Sequence, residues 1–145
     1  MLWKDSYKTG IDEIDRQNFD LINNIEAMMS PTDNETRLMQ LDAFEELVKK
    51  YFEREQKLHK ECHFYDAYWH RIVHKAYIKV LRRTKQDFVE TMTTPEKEII
   101  FRIKLFEFLK NHITRLDKSF ARYYHKNIPC EDFVGYEKAY ATAMV

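Results

Sequence analysis

The chain has 145 residues, 33% of them charged, and its 24 Lys and Arg residues balance its 24 Asp and Glu residues. This length suits a single domain with a sizeable core, and the balanced, well-mixed charge gives no reason to expect a nucleic acid or an anionic membrane as partner. Two Gly and three Pro residues leave little material for hairpins or long loops.

The first predicted element is an extended N-terminal arm over residues 1–10, which Gly10 separates from a helix. Apolar residues then recur at helical spacing over residues 11–29 and predict that first helix. A Ser-Pro pair ends it, because the residue before a proline avoids the helical conformation. Asn18 lies in the middle of the apolar stripe.

The second helix is predicted to begin at the sequence TDNE, residues 32–35, which has the pattern of a capping box, and to end near His63. Its inward stripe becomes polar in the second half, where Tyr51, Glu55 and His59 recur every four residues. Residues at this spacing stack on one face of a helix.

The third helix is predicted to follow a break around residues 64–66 and to run to about residue 90. His70 and His74 lie one turn apart on the stripe that its apolar residues mark as inward. Burying imidazoles near a carboxylate costs free energy unless something satisfies these groups. A metal ion would satisfy them.

The fourth helix is predicted to begin at the sequence TPE, residues 94–96, with proline at the first helical position. Its predicted inward stripe consists of Ile99, Ile103, Phe106, Leu109, Ile113, Leu116 and Phe120. His112 and Asp117 lie among these residues. The tail, residues 127–145, is predicted to be irregular or to hold a short packed helix.

Four long helices with short connections predict an all-α fold, an antiparallel up-down-up-down four-helix bundle. In such a bundle, residues equally far before and after a connection lie at the same height along the bundle axis. By this measure Glu55 is level with His74 across the second connection, and His74 is level with His112 across the third. Asn18 lies within about a turn of the height of Tyr51. Every helix therefore brings an inward polar residue to nearly one height.

The polar residues at this height include suitable metal ligands. The candidate ligands are Glu55, His70, His74, His112 and Asp117. Three neutral nitrogens and two carboxylates suit iron, manganese or zinc and argue against calcium or magnesium.

Three further inward residues, Asn18, Tyr51 and His59, each have two interpretations. Each could bind a metal, or each could be a hydrogen-bonded core residue. In the second interpretation Tyr51 bonds Glu55, and Asn18 bonds another of the ligands. His59 lies near the second connection and could reach the open side of the ion.

The chain carries no pattern for secretion or membrane insertion. Its first residues lack the basic, apolar and small-residue succession of a signal peptide, and no apolar run approaches the roughly 18 residues of a spanning helix. Cys62 and Cys130 fit no CxxC spacing and are too few for a disulfide framework. We therefore expect a cytoplasmic protein that does not bind membranes.

Four short patterns are distributed along most of the chain. Trp3 is followed by GIDEIDRQNFDL at residues 10–21, then by YFEREQKLH at residues 51–59. A His-x3-His pair follows, and the last pattern is FLKNHITRLD at residues 108–117. In these patterns and their spacing the chain resembles the hemerythrin family, especially its single-domain bacterial members. The resemblance implies one domain over residues 1–145, with the arm at 1–10, the bundle at about 11–126 and the tail at 127–145.

The resemblance also implies the roles of the candidate ligands. His70, His74 and His112 would hold one iron. Glu55 and Asp117 would bridge from it to a second iron. The cofactor would therefore be one or two iron ions, with zinc or manganese as alternatives.

Two positions depart from the family pattern, because the histidines that hold the family's second iron fall on Asn18 and Tyr51. Tyr51 could still bind ferric iron as a phenolate. The family's apolar oxygen pocket is matched by Leu21, Phe52, Leu109 and Ile113. His59 replaces a family methionine and is expected to point at that pocket.

These observations favour a non-enzymatic, hemerythrin-like protein that binds or senses dioxygen or a related small diatomic. The first alternative is an iron enzyme acting on peroxide, nitric oxide or superoxide, with His59 as a proton donor. The second is a degenerate bundle that holds a structural metal.

Overall fold

The computed structural model describes residues 1–90 and 94–126, and these residues form helices and turns without any strand. The four predicted helices lie at Asp12–Ala27 (α1), Asn34–Glu61 (α2), Ala67–Glu90 (α3) and Pro95–Asn111 (α4). A π-helical segment, His112–Asp117, joins α4 to a last helix, Lys118–Lys126 (α5). The all-α prediction is thereby confirmed, and none of these helices is long and apolar enough to cross a membrane. The prediction for residues 127–145 lies outside the described residues.

The first ten residues are only partly extended, because a short 3-10 turn forms at Asp5–Tyr7. The ring of Trp3 packs edge-on against Tyr7 and Phe19, with ring centroids 5.6 and 5.4 Å apart. Gly10 then takes a φ of 85°, a conformation that glycine adopts most readily. The chain turns there into α1.

Local capping fixes where α2 and α4 begin. The Asp33 carboxylate accepts a hydrogen bond from the backbone N–H of Thr36 at 2.7 Å, so the aspartate rather than the preceding threonine of the predicted box caps α2. Thr94 accepts from the N–H of Lys97 at 3.2 Å, ahead of the proline at the first position of α4. Both predicted starts are correct to within a residue.

The helices enclose two apolar clusters. Helices α1 and α3 each pack against both α2 and α4. The larger, main cluster draws on all four helices and includes Leu21, Phe52, Leu109 and Ile113. The second cluster consists of Ile11, Ile14, Phe64, Phe120 and Ala121. Buried polar side chains contact both clusters, as described below.

The predicted inward stripe is wrong in the first half of α4. Ile99 and Ile103 are each 50% exposed, whereas Arg102, Leu105 and Phe108 are buried. The π-helical segment explains the difference, because i→i+5 bonding adds about one residue to a turn and rotates the preceding helix by roughly 100°. A single α-helical period drawn through the whole stretch therefore puts α4 out of phase.

Arg37 ties the start of α2 to its surroundings and is only 1% exposed. Its guanidinium donates to Glu98 Oε1 at 2.7 Å, to Gln40 Oε1 at 2.7 Å and to the carbonyl of Ser30 at 2.8 Å. These bonds join α2 to the start of α4 and to the loop after α1.

We expect Arg37→Met to lower the free energy of unfolding by about 3 kcal/mol, the lower end for a broken buried ion pair, because Glu98 retains some contact with water. Urea denaturation of the metal-free protein measures this change. Arg54→Met, at an exposed position of the same helix, should leave the midpoint unchanged. Equal midpoints for the two variants would contradict the structural role of Arg37.

Candidate metal centre

A buried group of one carboxylate and three imidazoles lies between the helices. It consists of Glu55 on α2, His70 and His74 on α3, and His112 at the start of the π-helical segment, and one ligand atom from each lies within 4.8 Å of the others. The Nε2 atom of His112 is 3.2 Å from Nε2 of both His70 and His74. Glu55 Oε1 is 2.6 Å from His70 Nε2. This arrangement could hold a metal ion.

The π-helical segment adds Asp117 to the group. Residues five apart on an α-helix point roughly 140° away from each other, whereas the wider π turn brings them towards one face. Asp117 Oδ1 accordingly lies 3.0 Å from His112 Nε2 and 3.3 Å from His70 Nε2. The carboxylate is fully buried. All five predicted ligands therefore converge.

The donor atoms fit a cation. Although these distances are short, neither Glu55 Oε1 nor Asp117 Oδ1 accepts a hydrogen bond from the part of the chain that the structure describes. Three imidazole nitrogens face the same space, and buried polar atoms without partners are costly. Nitrogen and carboxylate donors in this combination suit a first-row transition metal.

Charge pairing shifts the pKa values of the group. Burial would raise the pKa of Glu55, but the charges of His70 and His74 hold it well below its usual range. Burial would lower the pKa of His112, but the carboxylate of Asp117 raises it to about 10. Burial lowers the pKa of His74 well below its usual value. Because each ligand can bind a proton in the metal-free chain, a metal must compete with protons for this group.

One residue that supports the group was missed by the sequence reasoning. Gln56 Oε1 lies 2.9 Å from Nδ1 of His74 and can accept a hydrogen bond from the Nδ1–H group, which leaves Nε2 with the lone pair for a metal. Gln56 is half-buried beside the inward stripe of α2, so no periodicity points to it.

Asn18 and Tyr51 have different surroundings. Asn18 donates a hydrogen bond from Nδ2 to Asp117 Oδ2 at 2.8 Å. The other carboxylate oxygen of Asp117, Oδ1, remains next to His70 and His112. The Tyr51 hydroxyl donates to Asp20 Oδ2 at 2.5 Å, and burial together with this bond raises the pKa of Tyr51. The hydroxyl of Tyr51 therefore bonds Asp20 rather than Glu55.

The apolar pocket and His59 lie against different clusters. Phe52 stacks on the ring of His74 with centroids 3.8 Å apart, on the side of the main cluster. His59 instead contacts Phe64 and Phe120 of the second cluster, with centroids 5.1 and 4.3 Å apart. The expectation that His59 points at the pocket of Leu21, Phe52, Leu109 and Ile113 is therefore corrected.

Replacing Asn18 with alanine should weaken metal binding by roughly 10- to 100-fold, because Asp117 then loses the hydrogen bond that orients it. Competition with a chelator during zinc titration measures the affinity. Asn23→Ala, at a half-buried position of the same helix, is the matched control. If both variants bind zinc equally, the bond from Asn18 does not orient the ligand.

Comparisons with protein-family models, with curated proteins and with solved structures gave no match to this chain, so the assignment of the metal centre depends on its own residues.

Proposed function

We propose that the chain is a hemerythrin-like, non-haem iron protein that binds or senses dioxygen or a related small diatomic without turning it over. The observation that carries this proposal is the buried group Glu55, His70, His74 and His112, with its ligand atoms within 4.8 Å of one another. Iron bound there would supply the exchangeable coordination position that a diatomic ligand requires.

The proposal also covers the order of the helices, the location of the protein and the identity of the metal. Packing of α1 and α3 against both α2 and α4 favours the antiparallel up-down-up-down order with an N-terminal arm. We also propose a cytoplasmic location, as the composition of the chain suggests. Iron is proposed from the resemblance to hemerythrins, since the donor set suits zinc and manganese as well.

The chain's own side chains favour a small uncharged ligand. Phe52 packs on His74, and its ring centroid is also 5.4 Å from that of His112. The neighbouring pocket residues Leu21, Leu109 and Ile113 are buried as well. An apolar wall beside the histidines excludes water and ions more strongly than a neutral diatomic.

The test is reconstitution of metal-free protein with ferrous iron under anaerobic conditions, followed by exposure to dioxygen and, separately, to nitric oxide. We expect a visible spectral change that reverses when the gas is removed and that is missing from metal-free protein. Iron-loaded protein that responds to neither gas would contradict the proposal. Multiple turnovers of peroxide, nitric oxide or superoxide would favour the enzymatic alternative instead, and tight zinc with no iron uptake would favour a structural metal.

A further inference from the structure

His59 is a buried histidine whose ring makes no hydrogen bond to the described part of the chain. The side chain is 1% exposed, and neither Nδ1 nor Nε2 makes a hydrogen bond within residues 1–90 and 94–126. A neutral imidazole has one donor and one acceptor nitrogen, and leaving both unpaired in the interior costs free energy. Packing alone against Phe64 and Phe120 would be served equally well by an apolar side chain.

The ring faces the carboxylate of the metal centre. His59 Nε2 lies 3.4 Å from Glu55 Oε1, and its ring centroid is 4.4 Å from that of His70. Glu55 and His59 are one turn apart on α2, so the helix holds both on one face. Glu55 Oε1 thus lies close to an imidazole of α3 and to this imidazole of α2.

A second oxygen that accepts no hydrogen bond within the described residues also lies close to His70. Asp117 Oδ1 is 3.3 Å from His70 Nε2 and accepts no hydrogen bond in the described chain. His59, Glu55 and Asp117 therefore supply one nitrogen and two oxygens that are buried and make no hydrogen bond within the described residues. The two residues at which the resemblance would place the second iron are already engaged, since Asn18 bonds Asp117 and Tyr51 bonds Asp20.

We propose that His59 is a metal ligand and that, with Glu55 and Asp117, it forms a second position for a divalent first-row cation, in place of a position at Asn18 and Tyr51. This inference rests on the proposed metal-binding function, because the two positions share both carboxylates. One imidazole and two carboxylates suit Fe²⁺, Mn²⁺ or Zn²⁺. The second position lies towards the second apolar cluster, whose Phe64 and Phe120 hold the ring of His59.

The experiment measures metal stoichiometry rather than activity. Metal-free wild-type, His59→Gln, His59→Met and Tyr51→Phe proteins are titrated anaerobically with ferrous iron alone, freed of unbound metal and analysed for iron per chain. We expect two irons in the wild type and in Tyr51→Phe, and one iron in both His59 variants. The affinity for the second iron should fall by about 100-fold or more, because loss of even a supporting residue costs roughly 10- to 100-fold.

His59→Met keeps an apolar side chain of similar size among the aromatic rings, and circular dichroism of each metal-free variant verifies that it folds. Two irons at wild-type affinity in either folded His59 variant would overturn the inference. So would loss of the second iron in Tyr51→Phe. A wild-type chain that holds a single iron overturns this inference but leaves the proposed function standing, whereas a chain that holds none contradicts the proposed function itself.

Discussion

Replacing His74 with alanine should remove the metal from the centre and lower the melting temperature of the metal-loaded protein by roughly 5–10 °C. An ion that binds only the folded chain would stabilise that state by about 2.7 kcal/mol at a free metal concentration about 100 times its Kd. His74 presents Nε2 to the group at 3.2 Å from His112 Nε2. Calorimetry with and without metal, together with elemental analysis, measures both effects.

The metal-free proteins separate metal binding from packing. His74 also stacks on Phe52, so its loss should lower the melting temperature somewhat even without metal, and the larger drop should require metal. The control is His63→Asn, because His63 is exposed and has a φ of 53° that asparagine tolerates. If His63→Asn reduced metal content as much as His74→Ala, the centre would be assigned to the wrong histidines.

The second large effect is expected for Glu55→Gln. Glu55 Oε1 lies between 2.6 and 3.8 Å from the Nε2 atoms of four imidazoles, so one carboxylate faces His59, His70, His74 and His112. Glutamine keeps the size of the side chain but removes its charge. We expect the metal to be lost and the metal-free protein to lose about 3 kcal/mol of stability, the lower end for an uncompensated buried charge, because the imidazoles can release protons.

Urea denaturation of metal-free protein and elemental analysis of metal-loaded protein test this expectation. Glu53→Gln is the matched control, since Glu53 is exposed on the same helix two residues away. It should change neither quantity. A Glu55→Gln protein that keeps its metal and its unfolding midpoint would show that the carboxylate is not a ligand.

The helix boundaries were predictable because their signals are local. The cap at Asp33 and the Thr-Pro start of α4 each involve residues within one helical turn, so the sequence alone predicts both helix starts. The phase of α4 was not predictable in this way. It depends on a π-helical segment, and no local sequence pattern predicts the hydrogen bonds of that segment. For that reason the prediction that Ile99 and Ile103 are buried was wrong.

The predicted ligands came together because they are polar residues on otherwise apolar stripes, a property that helical spacing reveals. Their partners were harder to foresee. Which way Tyr51 turns depends on Asp20, a residue of another helix. Likewise, His59 lies against the second cluster because Phe64 and Phe120 meet there, and this contact involves three different parts of the chain.

The division of the interior into two apolar clusters has a consequence for how the protein unfolds. The polar group contacts Phe52 of the main cluster through His74 and Phe120 of the second cluster through His59. Ligands from α2, from α3 and from the π-helical segment would be held by the same ions, so opening the second cluster would require breaking metal bonds. A metal bound there would therefore join the two clusters into one cooperative unit, and in the metal-free protein we expect the smaller cluster to open alone at a lower free energy than the whole chain.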